Sequence, residues 1–144
     1  TLTLTNYKDR RWEDRGLAIA WRDALEEYDL VVGWNTVKFD VPYLNTRLQE
    51  YDCRPLRLKM HKDLMYTARF KLKLDSASLE NVSTYLRIHE KYNITKTKLE
   101  KRRWRMAIAG HRPSYDYIIR HCQADVKVLA AVWQETKHLV TELK

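Results

Sequence analysis

Cysteine is nearly absent: Cys53 and Cys122 are the only two in 144 residues. They lack the spacing of a metal cluster and are too few for a disulfide framework, so a reducing, intracellular compartment is the default expectation. No apolar run approaches the ~20 residues needed to cross a bilayer, and no signal peptide is visible. The chain begins at Thr1 without an initiator Met. Internal repeats, low-complexity stretches and linkers are also missing. A helical membrane span, a disulfide scaffold and a repeat architecture are therefore not expected. What is present is a globular composition, 44% hydrophobic and 32% charged, in one domain's worth of chain. Acidic residues are in deficit, 19 against 27 Lys and Arg, for a formal charge of +8. A basic surface attracts polyanions, nucleic acid first among them, although charge alone does not distinguish such a binder from a basic domain with no specific partner.

Read along its length, the chain alternates short apolar segments with helical patterns. Leu2 and Leu4 alternate with threonines over residues 1–5 and predict a half-buried strand. Leu17 to Tyr28 carries Leu17, Ile19, Ala20, Trp21, Ala24, Leu25 and Tyr28 at helical spacing, an amphipathic helix. Leu30 to Trp34 reads as a buried strand. Asp40 is expected to cap the next helix, with Pro42 in its first turn and Tyr43, Leu44 and Leu48 on its buried face. Leu56 to His61 reads as extended, and Asp63 as the start of a helix through about Phe70. Ser78 is placed to cap a helix containing Leu79, Val82, Tyr85 and Leu86. Residues 87–98 show no convincing period and read as a loop. A helix from Leu99 to Ala109, closed by Gly110, bears Lys101, Arg102, Arg103 and Arg105 around Trp104. Two further patterns, Tyr115 to Gln123 and Ala124 to about Leu143, read as one helix with a bend.

Two constellations carry chemistry. Asn35-Thr36-Val37-Lys38-Phe39-Asp40 follows directly on the predicted strand, which leaves Asp40 at the carboxyl edge of a sheet, where a carboxylate can meet a metal ion or a phosphate. His121 and Asp125 stand four residues apart in a helical pattern and so share one face. One strand-end Asp and one helix-borne Asp with a titratable neighbour suggest a two-metal phosphodiester site.

The pattern N-x3-F-D at Asn35 to Asp40, continued by Val41-Pro42-Tyr43-Leu44, resembles the second motif of the DEDD (DnaQ-like) 3'-5' exonucleases, which include the proofreading domains of family B DNA polymerases. His121-Cys122-Gln123-Ala124-Asp125 is similar to their third motif, which is Y-x3-D in one branch and H-x4-D in the other; here a histidine stands at the tyrosine spacing. His61-Lys62-Asp63-Leu64-Met65 and Ser76-Ala77-Ser78-Leu79 resemble the mid-domain segment of phage and prokaryotic members. The resemblance spans roughly residues 28 to 135 and rests on motif order and spacing. The family's first motif, D-x-E, is missing: no Asp in the chain is followed two positions later by Glu. The expectation is therefore an N-terminally truncated RNase H-like α/β domain over residues 1–144, with helices packed on a mixed sheet and its first motif upstream.

The resemblance implies two Mg2+ or Mn2+ ions held by Asp40 and Asp125 together with the missing Asp and Glu, one ion activating water and the other stabilising the leaving 3' oxygen. His121 would orient or deprotonate that water. Asn35 and Phe39 would lie near the substrate strand. Trp104 with Arg102, Arg103 and Arg105 offers a stacking and phosphate-contacting face, or else a solvated helix with one packed tryptophan. Asp63 reads as a helix cap or, less simply, as a further ligand. The implied substrate is single-stranded nucleic acid, DNA ahead of RNA, in the cytoplasm of a prokaryotic or phage-infected cell, with a polymerase or other replication domain as partner and no membrane. The competing readings are a catalytically inactive nucleic-acid-binding or docking domain of a replication protein, and a different RNase H-like nuclease.

Overall fold

Leu30–Gly33 (β1) and Met60–Asp63 (β2) pair in parallel, with Leu30 opposite Met60 and Gly33 opposite Asp63. That register brings the carboxyl ends of both strands to one edge, and everything the first constellation does follows from it. The computed structural model describes residues 13–98 and 100–140, and these form two compact units, the first ending at Tyr66 and the second starting at Thr67. Among the described residues the sheet has these two parallel strands alone. The strand predicted at residues 1–5 lies outside the described residues.

In the first unit, helix α1 (Arg15–Glu26) precedes β1, and α2 (Asp40–Glu50) is the crossover to β2. The apolar spacing read from the sequence becomes a core of Ala18, Leu44 and Leu48, flanked by Ile19, Trp21, Leu25, Cys53 and Leu56. Tyr43, expected on the buried face of α2, is 54% exposed, because the core takes only the stripe through Leu44 and Leu48, four residues apart. Polar contacts tie the helices to the connections between them. Asp14, just ahead of α1, accepts from Arg47 Nε at 2.9 Å and from the Tyr51 hydroxyl at 2.8 Å. Asn45 accepts the Leu56 N–H at 2.9 Å.

Glu26 closes α1 against the segment leading to β2, accepting from both Arg54 amino groups at 2.8 and 2.6 Å and from the Arg57 N–H at 2.8 Å. The Arg54 hydrogen bonds, reinforced by the Arg57 N–H, pull the Glu26 carboxyl down to about 2 from the ordinary 4.5. A folded-state value below the unfolded one contributes stability above the ordinary value that is lost as pH falls through the folded one. Glu26→Gln should therefore lower the melting temperature at neutral pH and flatten its decline between the ordinary carboxylate value and about 2. An unchanged acid limb in thermal melts of the variant would remove Glu26 from the acid response.

Helix α3 (Leu64–Lys71) follows β2 directly and carries the chain into the second unit, where α4 (Leu79–Tyr85), α5 (Ile88–Lys91) and α6 (Lys101–Ile108) pack on the 25-residue α7 (Arg112–Thr136). Ser78 caps α4 as expected, accepting the Asn81 N–H at 3.1 Å. Residues 87–98 are not all loop. Arg87 turns through a left-handed conformation (φ 56°) and the single turn of α5 follows, burying Ile88 completely; one turn is too short to display a period. Gly110, at φ 90°, ends α6, a conformation only glycine adopts without strain. The two C-terminal patterns form one continuous helix, α7, with Pro113 in its first turn, followed by a 3-10 turn over Lys137–Leu139. Ser114, Ile118, Val128, Ala131 and Val132 make its buried stripe. No helix among the described residues is long and apolar enough to cross a membrane.

Candidate functional site

In the first unit the loop between β1 and α2 is built around one carboxylate from the neighbouring strand. Asp63, the last residue of β2 and not the first of a helix, is 9% exposed. Its Oδ1 accepts the N–H of Asn35 at 2.8 Å and of Met65 at 3.1 Å, and its Oδ2 accepts the N–H of Val37 at 3.0 Å. Two residues earlier on β2, and so on the same face of the strand, His61 Nε2 lies 2.8 Å from the Thr36 hydroxyl. Asn35 takes a left-handed conformation at φ 60°, which Asn tolerates better than most residues. Gly33 is required by close approach: a Cβ there would stand 2.3 Å from the Thr36 side chain.

This loop delivers Asp40. It occupies the first position of α2 after Phe39, and no side chain caps the helix at Phe39, so the expectation of Asp40 as N-cap is corrected by one residue. Its carboxyl is half-buried, and that burial pushes its pKa up, the negative Asp63 adding to the rise while the Asp40 N–H opposes it. Such a carboxyl gives up its proton less readily than a free one. Phe39 is 67% exposed, and the exposed Tyr43 lies four residues on, so Asp40 is flanked by two solvent-facing rings. The sequence reading placed Phe39 near substrate and missed Tyr43. The proline, aromatic and apolar residues of that turn gave no signal to separate an exposed ring from a packed one.

The second unit holds the other constellation. His121 Nε2 lies 3.3 Å from Asp125 Oδ2, one helical turn on, as the spacing predicts. The other ring nitrogen, Nδ1, lies 2.7 Å from the Thr97 hydroxyl. In the tautomer protonated at Nε2, Thr97 donates to the ring and the ring donates to Asp125. Thr97 was not foreseen, since it lies 24 residues away on an irregular segment. Burial raises the Asp125 carboxyl above its ordinary value, and the neighbouring His121 pulls it back. The pair lines a pocket of about 690 Å³ with Leu79, Ser83, His89 and Val128 among its walls.

Helix α6 keeps Arg102 and Arg105 exposed, with Trp104 42% exposed. Arg103 is committed elsewhere: its guanidinium sits 5.1 Å from the Tyr117 ring centre and its Nε 3.6 Å from Glu100. Of the expected contact face, three side chains are thus presented and one is used to hold α6 on α7.

Among the described residues, no three His, Cys, Asp or Glu side chains gather as a metal site. Asp63 spends three of its acceptor positions on backbone N–H groups, so the role its contacts show is that of a loop clamp. Asp40 belongs to the first unit, and His121 and Asp125 to the second. The described donors therefore fall short of a complete divalent-cation site.

Residues 2–136 match the family model described as RNase_H superfamily. No curated protein and no solved structure matches the chain.

Proposed function

The chain belongs to the RNase H superfamily, and from that premise we propose that it is a 3'-5' exonuclease domain acting on single-stranded nucleic acid, DNA in preference to RNA. The observation that carries this reading is the clamped loop, which sets a half-buried Asp40 at the carboxyl edge of the sheet next to the exposed rings of Phe39 and Tyr43. In this scheme Asn35 and Phe39 bound the terminal nucleotide, and bases stack on Phe39 and Tyr43. Asp40 in the first unit would offer a carboxylate to Mg2+ or Mn2+, as would Asp125 in the second. No step is assigned to a metal. His121, oriented by Thr97, holds or accepts the proton of the attacking water. Arg102, Trp104 and Arg105 contact the strand, and a polymerase or other replication domain is the natural neighbour.

A second reading, a nucleic-acid-binding domain without catalysis, is favoured by the incomplete ligand set. One experiment separates the two. A 5'-labelled single-stranded oligonucleotide is incubated with Mg2+ or Mn2+ and either residues 1–144 or the same chain joined to a segment bearing D-x-E. The chain alone is expected to bind but scarcely degrade, and the joined protein to produce a ladder shortening from the 3' end. In the joined protein His121→Ala should lower turnover ~100-fold with binding retained. Binding without degradation in both would favour the second reading. Vigorous metal-dependent digestion by residues 1–144 alone would place the site on other residues.

A further inference from the structure

Beside the His121 pocket runs a second concavity of about 520 Å³, bounded by the Tyr92–Thr97 segment on one side and by Arg120, Gln123 and Lys127 of α7 on the other. Thr95, Thr97 and Ala124 line both cavities, so one segment of chain forms the partition between them. Resting on the nucleic-acid reading above, we propose that this groove is the track for the phosphodiester backbone of the single strand, with Arg120 and Lys127 as its two phosphate contacts.

The electrostatics single these two cations out. Arg120 and Lys127 are the basic residues lining the groove, whereas several others of this unit are neutralised: Lys91 pairs with Glu135 at 2.8 Å, Lys96 with Glu80 at 3.3 Å and Arg112 with Asp116 at 2.9 Å. Arg120 and Lys127 have no carboxylate partner among the described residues. Helix geometry explains why. The one acid a turn before Arg120 is Asp116, already taken by Arg112, while the residues three and four from Lys127 are Gln123, Ala124, Ala130 and Ala131. A solvated helix face ordinarily alternates its charges at that spacing, and this face does not. Positions 120, 123, 124 and 127 form one stripe, and seven residues of helix put the two cations about 10 Å apart along the axis. That span exceeds the step between adjacent phosphates, and the long, flexible side chains of Arg120 and Lys127 can lean toward each other to meet phosphates of one strand. His121 and Asp125 stand on the adjacent stripe, so a strand seated on the cations runs alongside the dyad. Arg102 and Arg105 of α6 are exposed as well, but Arg120 and Lys127 line a concavity, and a concave cationic wall concentrates a polyanion better than a convex one.

The test is equilibrium binding of a fluorescein-labelled oligothymidylate to residues 1–144, followed by anisotropy without divalent metal across about 50 to 200 mM salt. Arg120→Gln with Lys127→Gln should weaken binding ~10-fold or more at the low-salt end and reduce the slope of log affinity against log salt by about 1.4, two single-strand phosphates' worth. Arg120→Lys with Lys127→Arg should preserve the slope, which separates charge from packing, and Arg102→Gln with Arg105→Gln should reduce it less. An unchanged slope in the Arg120/Lys127 neutral variant, with the oligonucleotide still bound, overturns the track and leaves the nucleic-acid reading standing. Absence of binding by the unaltered chain overturns both. Preference for a duplex of the same length overturns the single-strand assignment.

Discussion

Asp63→Ala should cost about 3 kcal/mol or more of stability and depress the melting temperature by on the order of 10 °C. One carboxylate accepts three backbone N–H groups, from Asn35, Val37 and Met65. Its removal leaves donors on two separate segments without that partner at part-buried positions. Hydrogen bonds to a charged acceptor are worth more than neutral ones, and an orphaned buried donor adds its own desolvation cost. Against a typical total of ~5–15 kcal/mol, that is a large share. Asp63→Asn should fall between the two: its carbonyl oxygen can still serve Asn35 and Met65, but an amide NH2 faces the Val37 N–H. Amide exchange at Asn35 and Val37 should accelerate in both variants. A loss below ~1 kcal/mol for Asp63→Ala, with exchange unaffected, would show that the loop holds its shape without the clamp.

Asp40→Asn should move stability and activity in opposite directions. Burial, with the charge of Asp63 in support, raises the folded-state value of Asp40 above the ordinary 3.8. The folded protein thus holds this proton more tightly than the unfolded chain does. Stability from this group is greatest below the ordinary value and declines as pH rises through the folded one, leaving a fixed penalty at neutral pH. An amide carries no such penalty and keeps the local N–H contact, so the variant should melt a few degrees higher near neutrality, with the gain vanishing in acid. In the protein joined to a D-x-E segment, degradation should nevertheless fall ~1000-fold. A helix-capping role predicts the reverse pattern, a lower melting temperature with activity spared, and scanning calorimetry beside a degradation assay decides between them.

The parts of this molecule legible in its sequence are those whose causes are local. The helical stripe of α1, the strand ahead of Asn35, the Ser78 cap and the His121–Asp125 pair each depend on residues within a turn or two of one another. Asp63 was legible only as a helix start, because Met65, two residues on, is the sole partner its neighbourhood contains. The Asn35 and Val37 donors lie 28 and 26 positions away and reach it only through parallel pairing. Thr97 escaped for the same reason. Tyr43 and α5 were misread on different grounds: helical spacing says which residues can share a face, and not how wide a face the core will accept.

The close approach at Gly33 also constrains the order in which this loop can change over evolutionary time. A methyl group at position 33 collides with Thr36 Cγ2 and Oγ1 at 2.3 Å, and truncating Thr36 to alanine still leaves its β-carbon at 2.8 Å. Only a second glycine at 36 clears the space, and that step forfeits the hydroxyl that meets His61. The two positions are therefore epistatic. A lineage that replaces Gly33 must first lose the side chain at 36 and pass through a weakened loop, so relatives with another residue at 33 should carry glycine at 36.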